Sequence, residues 1–176
     1  MITKNKITLP TKRLIILLIP LLAAACHSEP PVVNAPGRKP DIAENLANAN
    51  RYIVEAEETQ INSFVERRQW SVQQTQMGVR VHEYQPGNGP KLQWDEQAAV
   101  EYSVSDLTGK ELYAAMRDTL TVGRRKPTAG LDAALLFLSH GSRAHVIVPS
   151  NEAYGMVGDG ARIGSRKILL YDVSIE

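Results

Sequence analysis

The chain has 176 residues, and its 20 lysines and arginines nearly balance its 19 aspartates and glutamates, for a formal net charge of +1. This length suits one ordinary domain with a short appendage and argues against a multi-domain machine. The balanced charge gives no sign of a nucleic-acid partner. The single cysteine, Cys26, excludes an internal disulfide.

Residues 1–25 are typical of a secretory signal. The first 13 residues carry basic side chains and no acid, and the apolar run LIILLIPLLAAA follows from Leu14 to Ala25. This run is too short to span a bilayer comfortably. Because Cys26 directly follows three alanines, the pattern resembles a bacterial lipoprotein signal, in which the cysteine becomes the lipidated first residue of the mature protein. A plain signal peptide with a cysteine nearby is the alternative.

A tether and a helical segment follow the signal. Residues 26–40 contain four prolines, which favour an extended chain. Asp41 offers an N-cap to residues 41–70, for which the apolar spacing predicts one long helix or two consecutive helices ending near Trp70. Its apolar stripe comprises Ile42, Leu46, Ala49, Ile53 and Ala56, continued with a drift in phase by Ile61, Phe64 and Val65. We expect this stripe to pack on the following domain; the alternative is that its exposed part forms a homodimer interface.

From residue 71 onward the apolar period changes to two, which is typical of β-strands. MGVRVHEY alternates and ends at the turn PGNGP, and AAVEYSVSD places Val100, Tyr102 and Val104 on one face. After a turn at Thr108-Gly109 we predict two short strands, KELYAAM and DTLTVG. The last two predicted strands are SRAHVIVP and RKILLYDVSIE.

One short helix interrupts these strands. Pro127 suits its first turn and Gly141 suits its C-terminal stop. The residues that share its apolar face are Leu131, Ala134, Leu135 and Leu138. The pattern therefore predicts an α+β fold, in which an antiparallel sheet carries one short helix.

The order of these elements and the residues at their corners resemble the FKBP-type peptidyl-prolyl cis-trans isomerases. The resemblance covers residues 77–176. It rests on MGVRVHEYQPGNGP, VEYSVSDLTGKEL, the Gly123 and Gly130 pair, LSHGSRAHVIVPSNEAYG and ILLYDVSI. It implies that residues 71–176 form an isomerase domain, an antiparallel half-barrel wrapped around the helix, with an apolar pocket where a substrate proline inserts. The helical segment before it is similar to that of secreted and lipoprotein members.

The resemblance also implies site residues. Tyr154 stands at the pocket rim with its hydroxyl available to a substrate carbonyl, Tyr102 reaches into the pocket from an early strand, and Tyr113 supplies a wall or a hydroxyl. The implied substrate-binding residues are Leu112, Thr128, Leu131, Ile163 and Tyr171. No cofactor and no metal ion are expected, because rotation about an amide requires neither.

Four residues at three places in the chain depart from the family's pattern. Leu112-Tyr113 stands where active members have a Phe-Asp pair, Leu131 stands where they have a tryptophan on the helix, and Asp118 stands where an aromatic wall is common. A shallower and less aromatic pocket is therefore expected.

Three functions remain open at this point. The first is an isomerase and folding helper of the bacterial cell envelope, acting on proline-containing unfolded or exported proteins. The second is a catalytically weak or inactive binding or chaperone lipoprotein, and the third is a purely structural envelope lipoprotein. In each case a lipid on Cys26 would anchor the protein to a membrane, on its periplasmic or surface-facing side.

Overall fold

The computed structural model describes residues 42–176, which form two helices, a 3-10 turn and one sheet. The elements are α1 (Ile42–Arg68), β1 (Gln73–Gln74), β2 (Arg80–Gln85), β3 (Gln97–Asp106), β4 (Glu111–Thr121), α2 (Ala129–Leu135), β5 (Arg143–Val148), the 3-10 turn (Ser150–Glu152) and β6 (Leu169–Ile175). The signal and tether predicted for residues 1–40, including Cys26, and the predicted N-cap Asp41 lie outside the described residues. Within residues 42–176, no helix is both long enough and apolar enough to cross a membrane.

The six strands form an antiparallel sheet in the order β1-β2-β5-β6-β3-β4. The side chains of each strand alternate between two faces, so β3 buries Ala98, Val100, Tyr102 and Val104 on the inner face. The short helix α2 packs against this face and buries Leu131 completely. The predicted α+β arrangement is confirmed.

The outer face of the sheet is covered in part by α1, which is a single helix. Ile61 and Phe64 of α1 form a second buried cluster with Ile147 of β5 and Ile168. The first half of α1 remains exposed, and the accessible fraction of Ile42 is 77%. The second half of the stripe therefore packs on the sheet, whereas a homodimer contact through the first half stays a prediction.

Three predicted boundaries are wrong. KELYAAM and DTLTVG form one 11-residue strand, β4, because β4 pairs with β3 on both sides of the predicted break, with register shifts between Tyr102 and Ser105. The helix α2 begins after Pro127, not with it in the first turn, since Thr128 is the N-cap and its side chain accepts a hydrogen bond from the Leu131 N–H at 3.2 Å. The helix ends at Leu135, before the predicted stop at Gly141, which has a φ of +81° and lies instead before β5.

Candidate active site

A cavity of about 210 Å³ lies on the inner side of the sheet. Its walls come from β3, β4, β6, the segment before α2 and the segment after the 3-10 turn. The lining residues are Tyr102, Val104, Tyr113, Met116, Pro127, Tyr154 and Tyr171. The cavity is smaller than the roughly 300–1,000 Å³ of pockets for drug-sized ligands, so it suits a single small apolar ring.

Strand register brings the lining residues together. Tyr102 of β3 lies opposite Met116 of β4. Val104 lies opposite Tyr113 on one side and Tyr171 of β6 on the other. Directly paired residues project to the same face of a sheet. A register shift between Tyr102 and Val104 places Tyr113, rather than Ala114, opposite Val104, so this irregularity of the β3–β4 pairing brings Tyr113 to the cavity.

The structure brings four of the predicted site residues to the cavity and leaves four behind its wall. Tyr102, Tyr113, Tyr154 and Tyr171 line it. The other four are buried in the core and are not among the lining residues: Leu112, Thr128, Leu131 and Ile163. Sequence reasoning did not name Met116 as a site residue, because its pairing with Tyr102 depends on register shifts between Tyr102 and Ser105 that no sequence pattern indicates.

The tyrosine hydroxyls at the cavity differ in their partners. Tyr113 donates a hydrogen bond to the carboxylate of Asp159. The hydroxyl oxygen of Tyr171 lies 3.4 Å from that of Thr128. Within the described residues, the hydroxyls of Tyr102 and Tyr154 form no hydrogen bond, so both remain available to a ligand.

These free hydroxyls are held in their protonated form. Burial raises the pKa of Tyr154 above its ordinary value, and the negative charge of Asp159 raises it further. Burial likewise raises the pKa of Tyr102, with a further contribution from Asp118. Since both pKa values lie above 10.0, both groups can donate a hydrogen bond at physiological pH.

The loop after Tyr154 is fastened to β4 at the cavity rim. Asp159 accepts the hydrogen bond from Tyr113 and two more from the backbone N–H groups of Ala161 and Ile163, at 2.9 and 2.8 Å. Arg162 donates to the carbonyl oxygen of Leu112 at 3.2 Å. We refer to Tyr113 and Asp159 as the rim pair. Sequence reasoning did not identify Asp159, although an aspartate between two glycines is a typical turn signal.

A sequence model of the FKBP-type peptidyl-prolyl cis-trans isomerases matches residues 89–176, a segment that contains every cavity-lining residue. The chain belongs to this family. The predicted family is thereby confirmed, and the domain is a peptidyl-prolyl cis-trans isomerase of the FKBP type.

Three solved structures share the fold of this isomerase. A peptidyl-prolyl cis-trans isomerase from Pseudomonas syringae pv. tomato is 22% identical, with a TM-score of 0.57 over 69% of this chain and 92% of that one. AtFKBP13 is 19% identical, with a TM-score of 0.55 over 59% of this chain and 95% of its own. The N-terminal domain of FKBP42 from Arabidopsis thaliana is 21% identical, with a TM-score of 0.53 over 60% and 89%.

The rim pair gives this FKBP-type isomerase a carboxylate near the cavity despite its departure at Tyr113. The resemblance places an acid at that position of active members, and here a tyrosine hydroxyl reaches the carboxylate of Asp159 instead. This hydrogen bond is the main cause of both pKa shifts, raising that of Tyr113 and lowering that of Asp159. Within residues 42–176, no three His, Cys, Asp or Glu side chains cluster closely enough to hold a metal ion.

Proposed function

We propose that this isomerase binds the proline ring of an Xaa-Pro segment in the tyrosine-lined cavity and that its substrates are unfolded or exported proteins. The observation that carries the proposal is the hydroxyl of Tyr154, which has no hydrogen-bond partner among residues 42–176 and lies beside an apolar cavity of one-ring size. A ring seated against Tyr102 and Tyr171 would bring the preceding carbonyl to the rim, where Tyr154 can donate to it.

The chemistry requires only preferential binding of the twisted amide. The barrier to rotation is about 18–20 kcal/mol, because twisting breaks the resonance of the peptide bond. An apolar wall and a hydrogen bond that strengthens on twisting both favour the transition state over the planar ground state. A thousandfold acceleration needs about 4 kcal/mol of such preference, which a few contacts can supply.

The proposal is tested by following cis-trans isomerisation of a short Xaa-Pro peptide with the full-length chain. The parent should accelerate a reaction whose uncatalysed time constant is on the order of tens to hundreds of seconds. Tyr154→Phe removes one hydroxyl and should lower kcat/KM about three- to tenfold, with little change in stability. No acceleration by the parent, together with no binding of proline peptides, would refute the proposal.

A catalytically weak or inactive binding or chaperone lipoprotein is the second candidate. It is favoured by the departures from the family's pattern, since Leu112 and Leu131 are buried in the core and present no aromatic surface to the cavity. Binding of proline peptides by the parent without measurable acceleration would support this candidate over the first.

We also propose that Cys26 carries a lipid that anchors the protein in the bacterial cell envelope. The support comes from the basic start, the short apolar run and the alanines before Cys26. Cys26→Ser should abolish lipidation and move the protein from the membrane fraction to the soluble envelope fraction. Recovery of this variant in membranes as fully as the parent would exclude the anchor.

A further inference from the structure

One carboxylate of α1 is buried at the end of strand β5. Glu57 is 9% exposed, whereas Glu55 on the same helix is exposed. Its two oxygens accept hydrogen bonds from the backbone N–H of Ser150 at 2.9 Å and from the Ser150 hydroxyl at 2.5 Å. Burying a carboxylate is unfavourable unless it is hydrogen-bonded, so this pair of bonds fixes where Glu57 can sit.

Ser150 connects that carboxylate to the residue at the cavity rim. It opens the 3-10 turn that leads from β5 to Tyr154. Its carbonyl oxygen accepts hydrogen bonds from the N–H groups of Ala153 and Gly155, at 3.2 and 2.8 Å. These two residues flank Tyr154, so a displacement of Ser150 would be passed to the backbone on both sides of the tyrosine.

The same turn is confined from the inner side by α2. Gly130 lies so close to it that a Cβ there would fall 2.3 Å from Val148 Cγ1 and 3.2 Å from the Cβ of Glu152. The turn therefore has little room to move toward α2. On the outer side, the bonds to Glu57 are what hold Ser150 to α1.

We propose that Glu57 is a positioning residue of the isomerase, which sets the location of Tyr154 by holding Ser150. The proposal rests on the function proposed above for Tyr154. It makes α1 part of the support of the active site, although α1 lies outside the matched segment 89–176. Tyr102 and Tyr171 are placed by the sheet, so loss of the Glu57 carboxylate should leave them where they are.

The test compares Glu57→Gln with Glu55→Gln, the same substitution at an exposed position of the same helix, in the full-length chain. Glu57→Gln should lower kcat/KM for an Xaa-Pro peptide about three- to tenfold, the effect of losing one or two hydrogen bonds. In a sample with carbon-13-labelled tyrosine rings, it should shift the resonance of Tyr154, assigned through Tyr154→Phe, but not those of Tyr102 and Tyr171. Glu55→Gln should change neither readout.

A double-mutant cycle separates this proposal from a general loss of stability. If Glu57 acts through Tyr154, adding Glu57→Gln to Tyr154→Phe should change kcat/KM little further, because coupled residues are not additive. The positioning role would be overturned if the effects of the two substitutions on kcat/KM were fully additive and the Tyr154 resonance did not move in Glu57→Gln. If Tyr154→Phe alone leaves kcat/KM unchanged, the proposed function of Tyr154 fails, and the resonance still decides whether Glu57 places the ring.

A second variant keeps the proposal testable if Glu57→Gln does not fold. Ser150→Ala removes the hydroxyl donor and keeps the backbone N–H that also bonds to Glu57. It should shift the Tyr154 resonance in the same direction and by a smaller amount than Glu57→Gln. An unmoved Tyr154 resonance in Ser150→Ala, if Glu57→Gln does not fold, would overturn the proposal.

Discussion

At the scale of single residues, the rim pair links strand β4 to the loop after Tyr154. Its hydrogen bond joins a protonated hydroxyl to an ionised carboxylate, since the pKa of Tyr113 is raised and that of Asp159 is lowered. Hydrogen bonds with one charged partner are stronger than neutral ones. The loop conformation also depends on Gly158, whose φ is +75° and where a Cβ would lie 2.2 Å from the Ile163 carbonyl oxygen.

Breaking the rim pair should loosen the loop. Tyr113→Phe removes one hydrogen bond, whereas Asp159→Asn also weakens the bonds from Ala161 and Ile163. Hydrogen exchange of the amides of residues 158–163 should therefore be faster in both variants, and more so in Asp159→Asn. Because the pKa of Asp159 lies below 3.8, its contribution is complete above that pH and is lost as the pH falls through the folded-state pKa. Exchange rates equal to those of the parent would contradict this account.

Restoring the family's tryptophan at Leu131 should destabilise the protein. Leu131 is 0% exposed and packs in the core behind the cavity wall, so a larger ring would overpack the site by about 1–3 kcal/mol. Met116→Trp is the control, because Met116 lines the cavity and is 37% exposed. It should change the free energy of unfolding by no more than about 0.5 kcal/mol. Urea unfolding measures both, and a Leu131→Trp variant as stable as the parent would show that the core has room for the ring.

At the scale of secondary-structure elements, the two halves of α1 differ in their packing. Ile61 and Phe64 are buried on the sheet, and the ring of Phe64 meets that of Trp70 edge-on at 5.6 Å. In contrast, Ile42 and Leu46 in the first half are 77% and 63% exposed. The stabilisation that α1 gives the domain therefore comes from its second half.

Replacing an apolar side chain of α1 by alanine should lower the free energy of unfolding more in the second half of the helix than in the first. Phe64→Ala should lower the free energy of unfolding by about 3–5 kcal/mol, as expected for a buried aromatic ring. Leu46→Ala, at an exposed helix position, should change it by no more than about 0.5 kcal/mol. Urea unfolding with a constant m-value gives the comparison. A loss of no more than about 0.5 kcal/mol in Phe64→Ala would contradict the packing of α1 on the sheet.

The elements that sequence could predict are those defined by local patterns. The alternation of β3 and the apolar face of α2 were predicted correctly, because each depends on residues within one segment. The continuity of β4 across Arg117 was missed, since it depends on pairing with β3. Similarly, a proline suggested the start of α2, whereas the side-chain cap of Thr128 determines it.

The same distinction applies to the site. The resemblance to the FKBP-type isomerases predicted the four tyrosines that line the cavity, because each lies in a recognisable segment of the chain. It could not indicate that Glu57 bonds to Ser150, 93 positions away, since no local pattern relates a helix face to a distant turn. Nor could it separate the lining residues from Leu131 and Ile163 just behind the wall, because that difference in depth depends on tertiary packing and not on a local pattern.

At the scale of the whole molecule, the sheet separates two apolar layers and contributes residues to both. The inner layer joins it to α2 and contains the cavity, and the outer layer joins it to α1. Trp70 closes the outer layer, with its ring stacked 4.8 Å from that of His82 and 4.6 Å from that of His145. The two layers share the same strands and therefore unfold together. Protonation of a histidine in the outer layer thus changes the free energy of unfolding of the whole domain, cavity included.

Two histidines should give stability opposite dependences on pH. Burial is the main cause that lowers the pKa of His145; His82 and Arg68 also lower it, and Asp172 opposes them. The Nδ1 atom of His145 is buried and has no hydrogen-bond partner among residues 42–176; it lies 3.6 Å from an Asp172 carboxylate oxygen. The pKa of His140 is instead raised, first by its hydrogen bond to the Glu176 backbone carbonyl and then by that to the Glu96 side chain.

The signs follow from linkage between protonation and folding. His145 binds its proton less tightly in the folded state, so its contribution to stability is complete above pH 6.5 and is lost as the pH falls toward its folded-state pKa. His140 binds its proton more tightly, so its contribution is complete below pH 6.5 and is lost as the pH rises through its folded-state pKa.

His145→Phe, which keeps a ring against Trp70, should therefore reduce the fall in Tm on the acid side. His140→Gln should reduce the fall on the alkaline side. Tm measured from about pH 5 to 8, where histidines titrate, tests both; a parental slope in His145→Phe would refute the assignment of the acid-side loss to His145.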